Sequence, residues 1–318
     1  MRAALACKPW CRLISSHGFR RRLRERHRTP PVLGILRTFS EDGGGVVTRF
    51  VPTCSFRPRR TDRRGWRTVD SRHGRVLLHR EQRRSKDRRI LSVWNPIEDK
   101  VRELPAVPWL IPSTYSGNAA VLCAAAANDC DHLDCSGEPF LVALVGIDYG
   151  RMFAYIYSSE ADAWSEPAFA PNRGFFFQRQ RGVLAGNALY FALQEGTAVF
   201  KKATKGFLEY DLGTRELTLV RPPATYVNEH ILLMSMSDGL RAITKKGSKL
   251  YMWLREAGPG EDVGWAQREV NELNTLIPAD AFLLSYDVVD FADGYGLIYM
   301  ATDHGSFTAD FKSGQVHC

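Results

Sequence analysis

The sequence lacks the features that announce most enzyme classes. It has no G-x-S-x-G elbow for a serine nucleophile and no G-x-x-x-x-G-K-[ST] loop for a nucleotide phosphate. Gly294–Gly296 has neither the third glycine nor the helix of a dinucleotide fingerprint. The eight histidines form no H-E-x-x-H pair. Glu261 and Asp262 sit in a loop, where two carboxyls are solvated rather than held at the fixed separation a glycosidase dyad needs. Long apolar runs are also missing. Phe140–Ile147 is a buried strand at most, far short of the roughly 18 residues a membrane helix requires.

Cysteine is sparse and irregular. Seven residues, an odd number in no regular framework, exclude a disulfide scaffold and argue for reduced thiols in an intracellular protein. The best metal candidate is Cys123, Cys130, His132 and Cys135, since three thiols and an imidazole can hold zinc tetrahedrally. No paired C-x-x-C accompanies them, and small buried thiols are the plainer reading. The expectation is no catalytic centre, no metal and no cofactor.

What the chain does have is a recurring hairpin. Residues 89–105 read RILSVWNPIEDKVRELP: a β-branched and aromatic run, a turn at Asn95-Pro96, and a short return ending on Pro105. Residues 151–167 (RMFAYIYSSEADAWSEP), 205–222 (KGFLEYDLGTRELTLVRP) and 305–318 (GSFTADFKSGQVHC) repeat the plan, and 249–273 is a looser copy. Turn residues Asn95, Ser158, Asp211 and Asp310 imply about 45 to 65 residues per unit, the size of a four-stranded propeller blade. Upstream of each hairpin lie apolar stretches suited to inner strands: 76–78, 119–127 with 140–147, 182–193, 231–243 and 281–300.

The spacing therefore predicts an all-β, β-propeller-like array of four-stranded blades. Five are complete, and strands at 32–39 and 46–51 offer a sixth. Val93, Tyr155 and Leu208 fall in equivalent strands. Trp94, Tyr157, Tyr210, Trp253 and Phe311 sit mid-strand and read as core, whereas Trp66, Trp109 and Tyr115 have loop neighbours and are the candidate surface recognition residues.

Charge is unevenly placed. Residues 1–104 hold 27 Lys+Arg against 10 Asp+Glu, a net +17, and the remainder holds 16 against 25, a net −9. A basic end could favour nucleic acid or an acidic partner. The runs at 57–67 and 80–89 lack the interleaved aromatics of a single-strand stacking platform, so a solvated face is the simpler expectation and nucleic acid an unlikely partner.

Residues 1–28 hold the one helical stretch ahead of the strands. Leu5, Trp10, Leu13 and Ile14 are near helical spacing, Gly18 offers a stop, and Thr29-Pro30-Pro31 marks a boundary. The pattern Cys7-Lys8-x-Trp10-x-x-Leu13-Ile14, the basic stretch behind it and Thr29-Pro30-Pro31-Val32 resemble the end of a plant F-box and its linker. Further strings resemble the domain paired with F-boxes in grass proteins: Asp131-His132-Leu133-Asp134-Cys135, Tyr157-Ser158-Ser159-Glu160, Trp253-Leu254-Arg255-Glu256 and Phe311-Lys312-Ser313-Gly314.

The resemblance implies residues 1–28 as the remnant of an F-box and its linker, and 29–318 as an F-box-associated propeller. By resemblance the protein is a non-enzymatic, substrate-recognising subunit of a Skp1–cullin–F-box ubiquitin ligase, cytoplasmic or nuclear. Cys7, Trp10, Leu13 and Ile14 would face the Skp1 adaptor, and the propeller an unidentified protein substrate. Two departures weaken the Skp1 expectation. The Leu-Pro and leucine-rich helices that open an F-box do not precede Cys7, and Pro9 stands where a helix former is usual. A free-standing interaction propeller and a basic nucleic-acid binder are the alternative functions. Residues 1–24, with seven Lys or Arg and no acid, also suit an organellar transit peptide.

Overall fold

The computed structural model describes residues 32–41, 44–81, 90–107, 116–125, 135, 137, 139–148, 150–195, 204–223, 230–236, 239–256 and 264–272. It also describes the strands at 286–292, 297–302, 305–310 and 316–317, and the single positions Lys8, Arg12, Ser16, Gly18, Phe19 and Arg22. Lys8, Arg12, Gly18, Phe19 and Arg22 are helical. Gly18, expected as a stop, is itself helical, and Ser16 is a bend whose Oγ accepts from the Phe19 N–H at 3.3 Å, the bond a helix N-cap makes.

The described strands form six consecutive antiparallel sheets. The first comprises β1 (Gly34–Glu41), β2 (Gly45–Pro52) and β3 (Asp62–Arg64). Blade 1 is β4 (Trp66–Arg72), β5 (Arg75–Arg80), β6 (Leu91–Asn95) and β7 (Lys100–Glu103). Blade 2 is β8 (Ser116–Cys123), β9 (Phe140–Asp148), β10 (Arg151–Ser158) and β11 (Ala163–Trp164), with β12 (Ala168–Pro171) also on β10. In blade 3, β13 (Phe175–Phe177) and β14 (Val183–Ala185) share the partner β15 (Ala188–Glu195), followed by β16 (Gly206–Asp211) and β17 (Leu217–Val220). Blade 4 is β18 (Ile231–Met236), β19 (Gly239–Lys246), β20 (Lys249–Arg255) and β21 (Trp265–Glu272). Blade 5 is β22 (Tyr286–Ala292), β23 (Leu297–Thr302), β24 (Gly305–Asp310) and β25 (Val316–His317).

The architecture is thus an all-β propeller arrangement of five blades, with a three-stranded sheet where the sequence offered a sixth. Each recurring hairpin supplies the third and fourth strands of its blade. Val93, Tyr155 and Leu208 accordingly lie on β6, β10 and β16, the third strand in each case.

The core explains why these sheets stack rather than lie side by side. Each apolar cluster draws on two consecutive sheets. Leu36 of the first sheet packs with Val76, Leu78 and Trp94 of blade 1. Leu77 and Val93 of blade 1 meet Val121, Val142 and Tyr157 of blade 2. Ala143, Val145 and Met152 of blade 2 meet Phe191, Leu208 and Tyr210 of blade 3, and Tyr190 and Phe207 of blade 3 meet Leu233 and Trp253 of blade 4. A strand apolar on both faces, such as β15, is buried because it has a sheet on either side. Trp94, Tyr157, Tyr210 and Trp253 are all buried, as their mid-strand positions indicated; Phe311 lies outside the described residues.

Indole donors tie the outer strands together. Trp164 on β11 donates Nε1–H to the carbonyl of Pro105, just past β7, at 2.9 Å. Trp265 on β21 does the same to Arg221, just past β17, at 2.8 Å.

Candidate functional site

The turns between third and fourth strands share one geometry. Asn95 Oδ1 accepts from the N–H groups of Ile97 and Glu98 at 2.9 and 3.3 Å, and Asp211 Oδ1 from those of Gly213 and Thr214, both at 2.8 Å. Ser158 Oγ accepts from Ala161 N–H at 3.3 Å. Four residues after each cap the chain enters the left-handed region: Asp99 at φ 54°, Asp162 at 51° and Arg215 at 62°. Such turns are locked by their own side chains, so they present fixed rather than adaptable surfaces.

Two of these turns are also gripped from the preceding sheet. Asp99 Oδ1 accepts from Trp94 Nε1–H at 3.1 Å and from Arg63 Nη2 at 2.9 Å, and Arg63 lies over the Trp94 ring, 3.8 Å from its centroid. Asp162 Oδ1 accepts from Tyr157 O–H at 2.6 Å and from Arg102 Nη2 at 3.0 Å, with Arg102 over the Tyr157 ring at 5.8 Å. In each case an arginine on the last strand of one sheet completes an aromatic–aspartate pair in the next. Burial, and then the bond to Asp162, push the Tyr157 phenol up to about 12. The hydrogen bonds from Tyr157 and Arg102 hold the Asp162 carboxyl below its ordinary value. Between blades 3 and 4 the direction reverses. Arg255 on β20 reaches back to Tyr190 O–H at 2.9 Å and Glu209 at 3.0 Å, while Tyr190 donates to Glu209 at 2.7 Å.

A second polar seam runs through the inner strands. Asp70, with no side-chain exposure, accepts from Arg72 Nε at 3.0 Å and from the Val121 N–H of blade 2 at 2.9 Å. Arg72 Nη2 donates onward to the Gly182 carbonyl of blade 3. Burial raises the Asp70 carboxyl, opposed by the positive charges of Arg72 and Arg181. Asn118 donates to the carbonyls of Gln178 and Gln180. Gln180 in turn reaches Gln178 Oε1, His230 Nε2 and the Ile231 carbonyl at 2.7, 3.0 and 3.1 Å, and Thr204 accepts from the Ile231 N–H at 3.0 Å. One seam thereby joins blades 1 to 4, and the groups in it bond one another.

The residues singled out from sequence are distributed differently. Trp66 is half-buried, packed against Val76, Leu78 and Trp94, with Arg80 over its ring at 5.8 Å and its carbonyl accepting from Thr48 Oγ1 at 2.9 Å. Trp109, Tyr115, Cys7, Trp10, Leu13 and Ile14 lie outside the described residues, as do Cys130 and His132. Cys123 and Cys135 are both buried. Among the described residues, no three metal-ligating side chains come together, and no helix is long and apolar enough to cross a membrane.

Sequence reasoning missed the Arg63–Asp99 and Arg102–Asp162 clamps, although a signal exists. Trp94 and Tyr157 each precede an aspartate by five residues across a turn. Asp70 carries a fainter mark. β4 changes register between Thr68 and Asp70, and β22 does so between Val288 and Asp290, so the same Val-Asp bulge recurs in the first strands of blades 1 and 5.

No family model matches the chain, and no curated protein matches it. Solved structures do show likeness. The β-propeller domain of the Trilobed protease of Pyrococcus furiosus, described as having an open velcro topology, is 11% identical with a TM-score of 0.43, over 89% of this chain and 78% of that one. A prolyl endopeptidase is 15% identical with a TM-score of 0.41, over 79% of this chain and 35% of that one. Puromycin hydrolase is 12% identical with a TM-score of 0.42, over 79% and 38%. The chain thus spans little more than a third of the length of these two hydrolases.

Proposed function

We propose that this protein is a protein-recognition module, the substrate-holding part of a Skp1–cullin–F-box type ubiquitin ligase. The observation that carries the recognition reading is how the polar interior is used. Asp70, Arg72, Arg63 and Asp99, and Arg255 with Tyr190 and Glu209, bond across sheet boundaries. Their chemistry serves rigidity, which leaves exposed loops and outer faces to do the recognising, as suits loops on a fixed scaffold. The finer assignment to a ligase rests on the resemblance of residues 7–14 and of the later strings to the grass F-box proteins.

In this reading residues 1–28 carry the contact to a Skp1-like adaptor through Cys7, Trp10, Leu13 and Ile14, and the site of action is cytoplasmic or nuclear. A lone short helix is marginal in water, so the 318-residue polypeptide by itself should hold Skp1 weakly or not at all. The test is calorimetric titration against Skp1 of this polypeptide and of a chimera. The chimera carries the opening helices of an F-box joined ahead of Cys7, leaving residues 7–14 as its last helix. Sub-micromolar binding by the chimera, lost on Trp10→Ala, is the expected result. A chimera that does not bind, or that binds regardless of Trp10, contradicts the ligase assignment and leaves the recognition reading standing.

A further inference from the structure

The outward face of the first sheet carries an arrangement that the propeller's stability does not explain. Pairing of β1 with β2 sets Arg37 directly opposite Arg49, Ile35 opposite Val51 and Phe39 opposite Val47, so these six residues share one face. Two like charges directly across a strand pair repel. Phe39 is exposed between them, with the Arg37 guanidinium 5.2 Å and that of Arg49 5.8 Å from its ring centroid. Arg49 is neutralised by Asp62 through two bonds at 2.8 and 2.9 Å. Arg37 has no ion-pair partner among the described residues. Val51 is exposed beside the pair.

We propose that this face binds an acidic peptide segment bearing apolar side chains, which deepens the protein-recognition reading and rests on it. Arginine next to an exposed aromatic is the composition that dominates binding energy at protein interfaces. A carboxylate can take the Arg37 fork bidentately, while an apolar side chain covers Phe39 and Val51. Nucleic acid fits less well. Two guanidinium groups already lie over the Phe39 ring, so that ring is not offered as a platform for a base. The chain's own first residues are also a poor occupant, because residues 1–24 contain seven Lys or Arg and no acid.

The test uses the full chain and fluorescence anisotropy of three labelled probes: a short peptide repeating Glu-Glu-Leu, its Lys-Lys-Leu counterpart, and oligo-dT. Saturable binding of the acidic peptide alone at about 0.15 M salt is expected. Arg37→Glu should weaken it about tenfold and Phe39→Ser several-fold. Arg268→Glu, on the exposed face of blade 4, should leave it unchanged. Arg37→Gln, the gentler replacement, should give an intermediate loss with an unchanged circular dichroism spectrum. The proposal is overturned if the acidic peptide does not bind, if oligo-dT binds as tightly, or if neither Arg37 nor Phe39 matters. It is also overturned if sedimentation shows self-association that Arg37→Glu abolishes, since a second copy would then be the occupant. None of these outcomes depends on Skp1, so failure here and failure of the ligase assignment are separable.

Discussion

Arg102, on the last strand of blade 1, donates to Asp162 in the final turn of blade 2 at 3.0 Å, and so repeats across that boundary what Arg63 does to Asp99 one sheet earlier. The clamp matters because Asp162 also anchors the buried Tyr157 hydroxyl. A turn, a core aromatic and the neighbouring blade are thereby fixed together by one carboxylate.

This geometry has an alkaline signature. The Tyr157 phenol is raised from its ordinary value of 10.0 to about 12, so the folded state holds that proton more tightly than the unfolded chain does. The stability it contributes is complete below the ordinary tyrosine value and is lost as pH rises through about 12. Burial also raises Tyr155, Tyr190 and Tyr210, so spectrophotometric titration should show several phenols ionising late, one of them moving earlier in Asp162→Ala and disappearing from the late amplitude in Tyr157→Phe. A late amplitude that Tyr157→Phe does not reduce would show that Tyr157 is not one of the late phenols.

Asp70 should behave oppositely to an ordinary surface carboxylate. Its folded value is raised by burial, so its contribution is fullest at low pH and declines as pH climbs through the folded value. Asp70→Asn keeps an acceptor oxygen for Val121 N–H and should remove that slope from urea-unfolding free energies measured across pH. Asp70→Ala removes the buried carboxylate that Arg72 Nε and the Val121 amide share, and is expected to cost about 3–5 kcal/mol. A loss below about 1 kcal/mol would show that the seam relaxes around the gap.

Packing between blades 2 and 3 gives a third test. A Cβ on Gly182 would collide with the Phe191 ring, which sits in the core shared by those blades. Gly182→Ala should therefore lower stability by about 1–3 kcal/mol through overpacking. Leu208→Ala, in the same cluster, should cost about 2–5 kcal/mol through the cavity it leaves. Thermal melts of both variants measure this. A Gly182→Ala protein as stable as the wild type would mean that this boundary is loosely packed.

The sequence made much of the fold legible, because each blade repeats one local plan. The apolar runs at 76–78 and 140–147 lie in strands, that at 182–193 is divided by a turn into β14 and β15, and the turn caps Asn95, Ser158 and Asp211 stand where their side-chain chemistry put them. The clamps were harder to foresee. Arg63 and Asp99 are 36 residues apart, and nothing local in a run of arginines tells which one is taken by the next sheet. Trp66 shows the same limit. Its loop-like neighbours suggested a surface residue, but the contacts that half-bury it come from β5 and β6. The face of Arg37, Phe39 and Arg49 required pairing register, which the intervening glycine-rich turn sets.

Consecutive sheets complete one another's polar sites and so hold each other in place. A double-mutant cycle across the first boundary tests it most directly, with Arg63→Met and Asp99→Asn made singly and together. Asparagine tolerates the left-handed backbone at position 99, so the cycle reports the interaction rather than turn strain. The expected coupling is about 1–3 kcal/mol in equilibrium unfolding. Effects that add to within about 0.5 kcal/mol would contradict it.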